Sequence, residues 1–551
     1  MKTLKNIVKQ STYRERAVFL LTDIFLAVLC TLGMQVSFCG ITWGTPQENY
    51  LIPMTMLTLA RFVLFFLLGG VVLLALLYIN RVYTKRYTKE VIMRKFYFCS
   101  FVLLLLAWLP YVLMYFPGGV FSDTFRCIAY AYDMDNYGMT MLNNHHPILY
   151  ILIWRGAILL GRLFHQGIFF AAATMLILQY MAMAAALAFL ISWIHKRGLG
   201  IKVTLVLQAF LMFFPLYPLY VVSLWKDTFF ALALLLFSLC VGDLVFDGAD
   251  RLLRNPRYLI KFVILGCLTS FTRNNGKYIV FLSIAVLLLL QARRLLSYWR
   301  AVLAFVMLTT IVTVIQGPIY EKMNYNVDTM VESLGIPLQQ ISYLVYYDYD
   351  LTEEEQAYID TIISEESIKE WYHPCIVDPI KLNASDFQGP IIEEEPLEFL
   401  QYWLSLMVHH PVGGIKAYLL ATAGFWAPSV ASRDGYAQNW MWNNHYGLEC
   451  TDLMEKFTGY TFRGLTDSME PVSSAVFFII LVLGAFVTMM RRDYRKLLLL
   501  LPAAGCWATV MIATPIACSL RYVYILVLAV PLDVMLICMS GKGTDKHKRK
   551  F

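Results

Sequence analysis

The chain has 551 residues, of which 59% are hydrophobic and 15% charged, whereas a soluble domain carries roughly a quarter charged residues. That composition excludes a soluble globular protein. The net charge of +7 does not point to nucleic acid, because the basic residues stand in short groups between apolar runs rather than in one patch, and anionic lipid headgroups are their natural partners.

Taken in chain order, runs apolar for about the length that crosses a ~30 Å hydrocarbon layer predict twelve spans, near 17–38, 57–79, 97–115, 168–194, 203–220, 228–245, 258–272, 277–291, 301–317, 472–490, 497–514 and 520–538. The first follows a basic N-terminus, but it is long and lacks a small-residue cleavage site ahead of a soluble chain, so it reads as a retained helix. The expected fold class is all-α, a polytopic transmembrane helical bundle with outward-facing loops and interfacial helices. Five regions follow: three spans in 1–115, a first outer loop with an interfacial helix in 116–167, a six-span core in 168–317, a large acidic segment in 318–471, and three spans with a basic tail in 472–551.

Charge orients this bundle. With the N-terminus inside, every alternate connection is basic and together they hold 29 of the 45 Lys and Arg residues, as the positive-inside rule requires. Both termini are then cytoplasmic in a multi-pass protein of the cell membrane. The segment 318–471 falls outside and carries 24 acidic against 7 basic residues, a balance ill suited to an anionic inner leaflet. Its runs Glu353–Glu355 and Glu393–Glu395 read as solvated loop charge. Two shorter apolar stretches, 147–163 and 411–426, each open with a proline after a His-His pair. They are expected to lie at the outer interface, since spanning there would turn three basic clusters outward; the alternative is a fourteen-span chain.

Polar residues at span ends carry the chemistry, because an unpaired charge near hydrocarbon is costly. Five clusters fall on the same, outer face: Ser122-Asp123-Thr124 with Arg126; Asn143-Asn144-His145-His146-Pro147; Trp225-Lys226-Asp227; Arg273-Asn274-Asn275-Gly276-Lys277; and Thr514-Pro515 with Arg521-Tyr522. Plainer readings exist. Lys226 and Asp227 could be a helix-end ion pair, and Arg273 and Arg521 snorkelling anchors. Adjacent histidines on a helix point about 100° apart, which disfavours joint metal ligation by His145 and His146. Asp123 stands out, because the turn Phe116-Pro117-Gly118-Gly119 ends a span just before it and holds a carboxylate at the membrane surface.

A carboxylate beside several cations at the outer leaflet suits a lipid-linked phosphate: Arg and Lys hold the phosphate while the carboxylate deprotonates an acceptor hydroxyl. No Walker loop and no convincing dinucleotide-binding glycine pattern accompanies them. The motifs FPGGVFSDTF, NNHHP, WKDTFF, TRNNG and TPIACSLRY resemble the GT-C superfamily of polytopic glycosyltransferases, and within it a bacterial branch. The resemblance covers about residues 116 to 522. It implies a polyprenyl-phosphate-linked sugar donor, a cell-envelope glycan, lipid or protein acceptor, and inverting attack with Asp123 as catalytic base. His146, Lys226, Asp227, Arg273, Asn274, Asn275, Arg521 and Tyr522 would bind substrate. A divalent cation is possible in such a site, but the paired acidic residues of better-known members are missing beside Asp123, and Asp133 and Asp135 come later. Metal dependence, sugar and acceptor are left open. The competing classes are a lipid-linked glycan flippase or transporter and an envelope polysaccharide polymerase or ligase. The aromatics Trp426, Tyr436, Trp440, Trp442 and Tyr446 with His445 form either an interfacial belt or a sugar-stacking wall. Cys39, Cys127, Cys375 and Cys450 fall outside, and their spacing selects no pairing.

Overall fold

The computed structural model describes residues 12–36, 54–84, 93–137, 145–164, 167–322, 330–430, 446–467, 469, 472–513, 516 and 519–541. Among these residues the chain is helical without strands, and pairing is confined to isolated bridges. Six helices are long and apolar enough to cross a membrane alone: Tyr13–Gly33, Met56–Tyr83, Lys95–Met114, Ile168–Lys196, Lys226–Asp247 and Trp299–Lys322. The protein is an all-α membrane protein. Ile201–Phe213 and Leu216–Val222 make a seventh candidate, bent by 46°. Four shorter apolar helices are Gly276–Leu290, Ser474–Met490, Leu501–Ile512 and Ile525–Met539. With Pro256–Thr272, a helix underlies each of the twelve apolar runs named above.

The bend corrects the expectation of one continuous span over 203–220. Pro215 disfavours helical geometry at the preceding residue, and Phe214 is extended there, at φ −75° and ψ 117°. Thr12 and Glu15 form a capping box that starts Tyr13–Gly33, which supplies partners for two N–H groups left open at the helix start.

Burial sorts the helices. Ile168–Lys196, Lys226–Asp247 and Ile525–Met539 are buried along most of their length, whereas Met56–Tyr83 exposes Leu59, Val63, Leu67 and Val71. In lipid such side chains need no cover, and close packing holds the inner helices together. Gly242 permits one such approach, since a Cβ there would stand 2.5 Å from Leu499 Cδ1 and 3.1 Å from the Trp193 ring.

The inner helices have two distinct polar ends. At the close of Lys226–Asp247, Asp243 pairs with Arg197 at 2.7 Å and with Lys261 at 3.1 Å, and Asp247 also pairs with Arg197. Lys496 pairs with Asp493 at 2.7 Å and donates to the Met539 carbonyl at 3.1 Å, and Arg491 Nε donates to Asn80 Oδ1 at 2.6 Å. The opposite end begins at Lys226, 22 residues or about 33 Å of helix away. The candidate site lies there.

The acidic segment is built of short helices, including Gly335–Tyr346, Glu353–Ile362, Asp378–Leu382, Pro396–His409 and Pro411–Ala421. Glu355 departs from the solvated reading. It is buried, caps its helix through Thr352, and its carboxylate meets His409 Nδ1 at 2.8 Å and His410 Nε2 at 3.4 Å. The stretch 147–163 forms the helix Ile148–Leu163, and 411–426 divides into Pro411–Ala421 and Ala423–Trp426.

Candidate functional site

The site is assembled around a short non-helical stretch, Ser223 to Trp225, between Leu216–Val222 and Lys226–Asp247. Its backbone groups need partners away from a helix, and neighbouring elements provide them. Gln179, inside Ile168–Lys196, donates to the carbonyls of Val221 at 2.8 Å and Ser223 at 2.7 Å. The turn after the helix Met93–Met114 docks beside it: Gly119 N–H donates to Val222 O at 2.7 Å and accepts from Leu224 N–H at 2.9 Å. Gly118 adopts φ 114°, which favours glycine, and a Cβ there would lie 2.8 Å from Leu224 Cδ1. Thr124 and Tyr150 hydroxyls close the carbonyl of Leu224 at 2.6 and 2.8 Å. Asp123 is thereby set in the first turn of Ser122–Tyr137, a helix where the sequence suggested a loop, and faces the Lys226 helix.

Two carboxylate–cation groups result. Asp123 Oδ2 lies 3.1 Å from Arg521 Nη1 and 3.7 Å from Lys226 Nζ. Lys226 also donates to the His145 carbonyl at 3.0 Å and sits 3.3 Å from His146 Nδ1. In the second group, Asp227, 1% exposed, meets Arg273 Nη1 at 2.9 Å. Tyr522 joins the two. Arg273 lies 4.7 Å and Arg521 5.0 Å from the centre of its ring, and its carbonyl accepts from Arg273 at 3.2 Å. Trp225 and Phe230 flank the guanidinium groups of Arg521 and Arg273 at 5.7 Å each, in cation–π range.

The structure therefore brings together Asp123, His146, Lys226, Asp227, Arg273, Arg521 and Tyr522. Asn275 donates to Thr509 Oγ1 at 2.9 Å. Asn274 occupies the same turn, half-buried, while Arg126 is exposed. Asn143, Asn144, Thr514, Pro515, Tyr436, Trp440, Trp442 and His445 lie outside the described residues, as does Cys39; Cys127, Cys375 and Cys450 are free thiols. Among the described residues, no three His, Cys, Asp or Glu side chains gather as metal ligands.

Electrostatics distinguish the groups. Burial alone would raise the Asp123 carboxyl, but Lys226 and Arg521 outweigh it and hold it far below the usual carboxylate range. Burial, reinforced by the Lys226 ammonium, lowers His146 to about 2, so its imidazole is neutral at physiological pH. Three cations stand against two carboxylates, an excess suited to an anion.

The acidic segment meets this region through an antiparallel bridge between Ile376 and Ile516, a contact that depends wholly on tertiary folding and that no spacing in the sequence reveals.

Fold and site together define a helical membrane protein with an ionic cluster at the common end of its inner helices. Residues 136–550, about three quarters of the chain, match a family described as a family of unknown function (DUF6020), and the chain belongs to that family. The matched region contains His146, Lys226, Asp227, Arg273, Asn274, Asn275, Arg521 and Tyr522, and begins after Asp123. No curated protein and no solved structure matches the chain.

Proposed function

We propose that this protein is a membrane glycosyltransferase of the GT-C kind, moving a sugar from a polyprenyl-phosphate donor to a cell-envelope acceptor. The observation that carries the proposal is the cluster of Lys226, Arg273 and Arg521 with Asp123 at one end of the membrane helices. Donor phosphate would sit among the three cations, with its prenyl chain in the bilayer and its sugar toward the acidic segment. The ring faces of Tyr522 and Trp225 fix the guanidinium planes, and fixed cations stabilise charge developing on a leaving phosphate without reorganising. Asp123 keeps two of those cations in register. Displacement at the anomeric carbon on the opposite side inverts its configuration.

We further propose twelve spans with both termini in the cytoplasm and the site outside. The separation of Arg197, Arg491 and Lys496 at one polar end from the Lys226 cluster at the other supports this orientation. A flippase would concentrate polar groups near the midplane on broken helices. The bend at Pro215 is such a break, but the ion pairs gather at a helix end.

The deciding experiment incubates the purified protein, in liposomes with an envelope-lipid or glycan acceptor fraction, with polyprenyl phosphates carrying different sugars. Release of polyprenyl phosphate with transfer of the sugar supports the proposal. Movement of intact donor between leaflets without sugar release would identify a flippase instead.

A further inference from the structure

Phe457, Tyr460, Phe462 and Leu465 are 76%, 75%, 51% and 62% exposed. Large apolar side chains are usually scattered singly on a surface that faces water, and a gathering of them marks a contact. The stretch that carries them begins with the short helix Leu453–Thr458, capped by Asp452, whose carboxylate accepts from Glu455 N–H at 2.8 Å. Gly459 ends that helix at φ 74°, a geometry glycine adopts without strain. The helix Arg463–Asp467 follows.

Bonds to the end of a membrane helix fix where this stretch sits. Phe462 N–H donates to Met114 Sδ at 3.3 Å, and Arg463 Nε donates to the Met114 carbonyl at 2.9 Å. The Arg463 guanidinium also lies 5.2 Å from the centre of the Tyr115 ring and 3.6 Å from the Asp452 carboxylate. Met114 is the last residue of Lys95–Met114, a helix that turns Leu103, Leu106 and Leu109 outward and in a bilayer would present them to lipid. From Leu109 to Met114 an α-helix rises about 7.5 Å, so Phe462 is tied within two turns of that apolar stripe. Aromatic side chains concentrate at this level of a membrane, where one end of the ring meets headgroups and the other meets acyl chains. Just ahead, Thr451 N–H donates to the Phe116 carbonyl at 2.7 Å, on the turn whose Gly119 supports the Ser223–Trp225 stretch. The exposed group therefore borders the ionic cluster's end of the bundle.

We infer that residues 453–465 form a membrane-inserted clasp, with Phe457, Tyr460, Phe462 and Leu465 seated in the lipid leaflet on the side of the ionic cluster. Continuity with the apolar stripe of Lys95–Met114 selects lipid, rather than a protein, as the occupant of this face. The inference is independent of the glycosyl-transfer reading, since it concerns where the segment lies and not what the cluster does.

The test places a nitroxide label on single cysteines at Phe457, Tyr460 and Leu465, in the full-length protein with its native cysteines replaced, reconstituted in phosphatidylcholine–phosphatidylglycerol vesicles. Relaxation by oxygen, which concentrates among acyl chains, is compared with relaxation by a water-soluble nickel chelate. Labels at Leu67, on the exposed face of Met56–Tyr83, and at the exposed Glu354 calibrate the scale. The oxygen-to-nickel ratio at all three positions should exceed that at Glu354 and approach that at Leu67. A ratio matching Glu354 overturns the inference by placing the stretch in water. Protection from both reagents overturns it as well, because a second copy or another protein would then cover the face. If one labelled variant fails to fold, the other two positions decide.

Discussion

Asp123 and Arg521 are separated by 398 positions in the chain and by 3.1 Å in the structure. The contact fastens the helix Ser122–Tyr137 to the entrance of the last apolar helix. Lys226 completes it from the middle of the chain, so three regions meet at one carboxylate.

Removal of Arg521 should be read in donor binding. Arg521→Gln keeps some hydrogen bonding but loses the charge, and a charged hydrogen bond contributes about 1.5–3 kcal/mol. Donor KM should therefore rise by roughly ten- to a hundredfold, with a smaller change in kcat. Arg273→Gln should behave similarly. Steady-state kinetics on both variants checks this, and unaltered donor KM in both would return the two arginines to the role of interfacial anchors.

The Asp227–Arg273 pair should matter for stability. Breaking a buried pair by removing one charge costs about 3–5 kcal/mol, while removing both partners is far less damaging. Asp227→Asn should therefore lower the thermal midpoint markedly, and the double variant Asp227→Asn/Arg273→Gln should recover part of it. Thermal unfolding in one detergent would show this, and a double variant with strictly additive losses would contradict it.

Acid should destabilise the protein through His146. The folded state holds this group down to about 2, while the unfolded chain protonates near 6.5. Between those values the unfolded state binds the extra proton, so stability falls as pH drops below about 6.5, by up to about 1.4 kcal/mol per pH unit. His146→Gln should flatten the midpoint–pH curve between neutrality and mild acid. The carboxyl of Asp123, depressed in the folded state, contributes stability that is present above its unfolded value and persists through the same interval. Its own loss begins only as pH falls through the ordinary carboxylate range, which separates the two groups.

Orientation is tested by single cysteines in a background whose native cysteines are replaced. Positions Lys196, Arg254 and Arg294 should resist an impermeant thiol reagent in intact cells, and Glu354 should react. Labelling at the first three would reverse the twelve-span topology.

The apolar helices were legible because hydrophobic run length is a local property. The span-end clusters were legible for a related reason: a charge at the end of an apolar run is expensive wherever the chain goes. Thus Asp123, Lys226, Arg273 and Arg521 could be singled out before it was clear which carboxylate faces which cation. Pairing is not local. Asp227 finds Arg273 and Asp123 finds Arg521 because the Ser223–Trp225 stretch is hung between Gln179 and Gly119, which no spacing reveals. The bend at Pro215 was hidden inside an unbroken apolar run. Glu355 was masked by company, since it lies among many acids and only tertiary burial sets it apart.

The ring of Tyr522, with a guanidinium close to each of two approaches, bears on how the proposed cycle would end. A sugar phosphodiester bears a single negative charge, but the polyprenyl phosphate left behind is a monoester and bears nearly two near neutrality. Two arginines and a lysine would grip the product harder than the donor. Turnover would then be limited by departure of the spent carrier, and its accumulation in the membrane would throttle the enzyme irrespective of the sugar delivered.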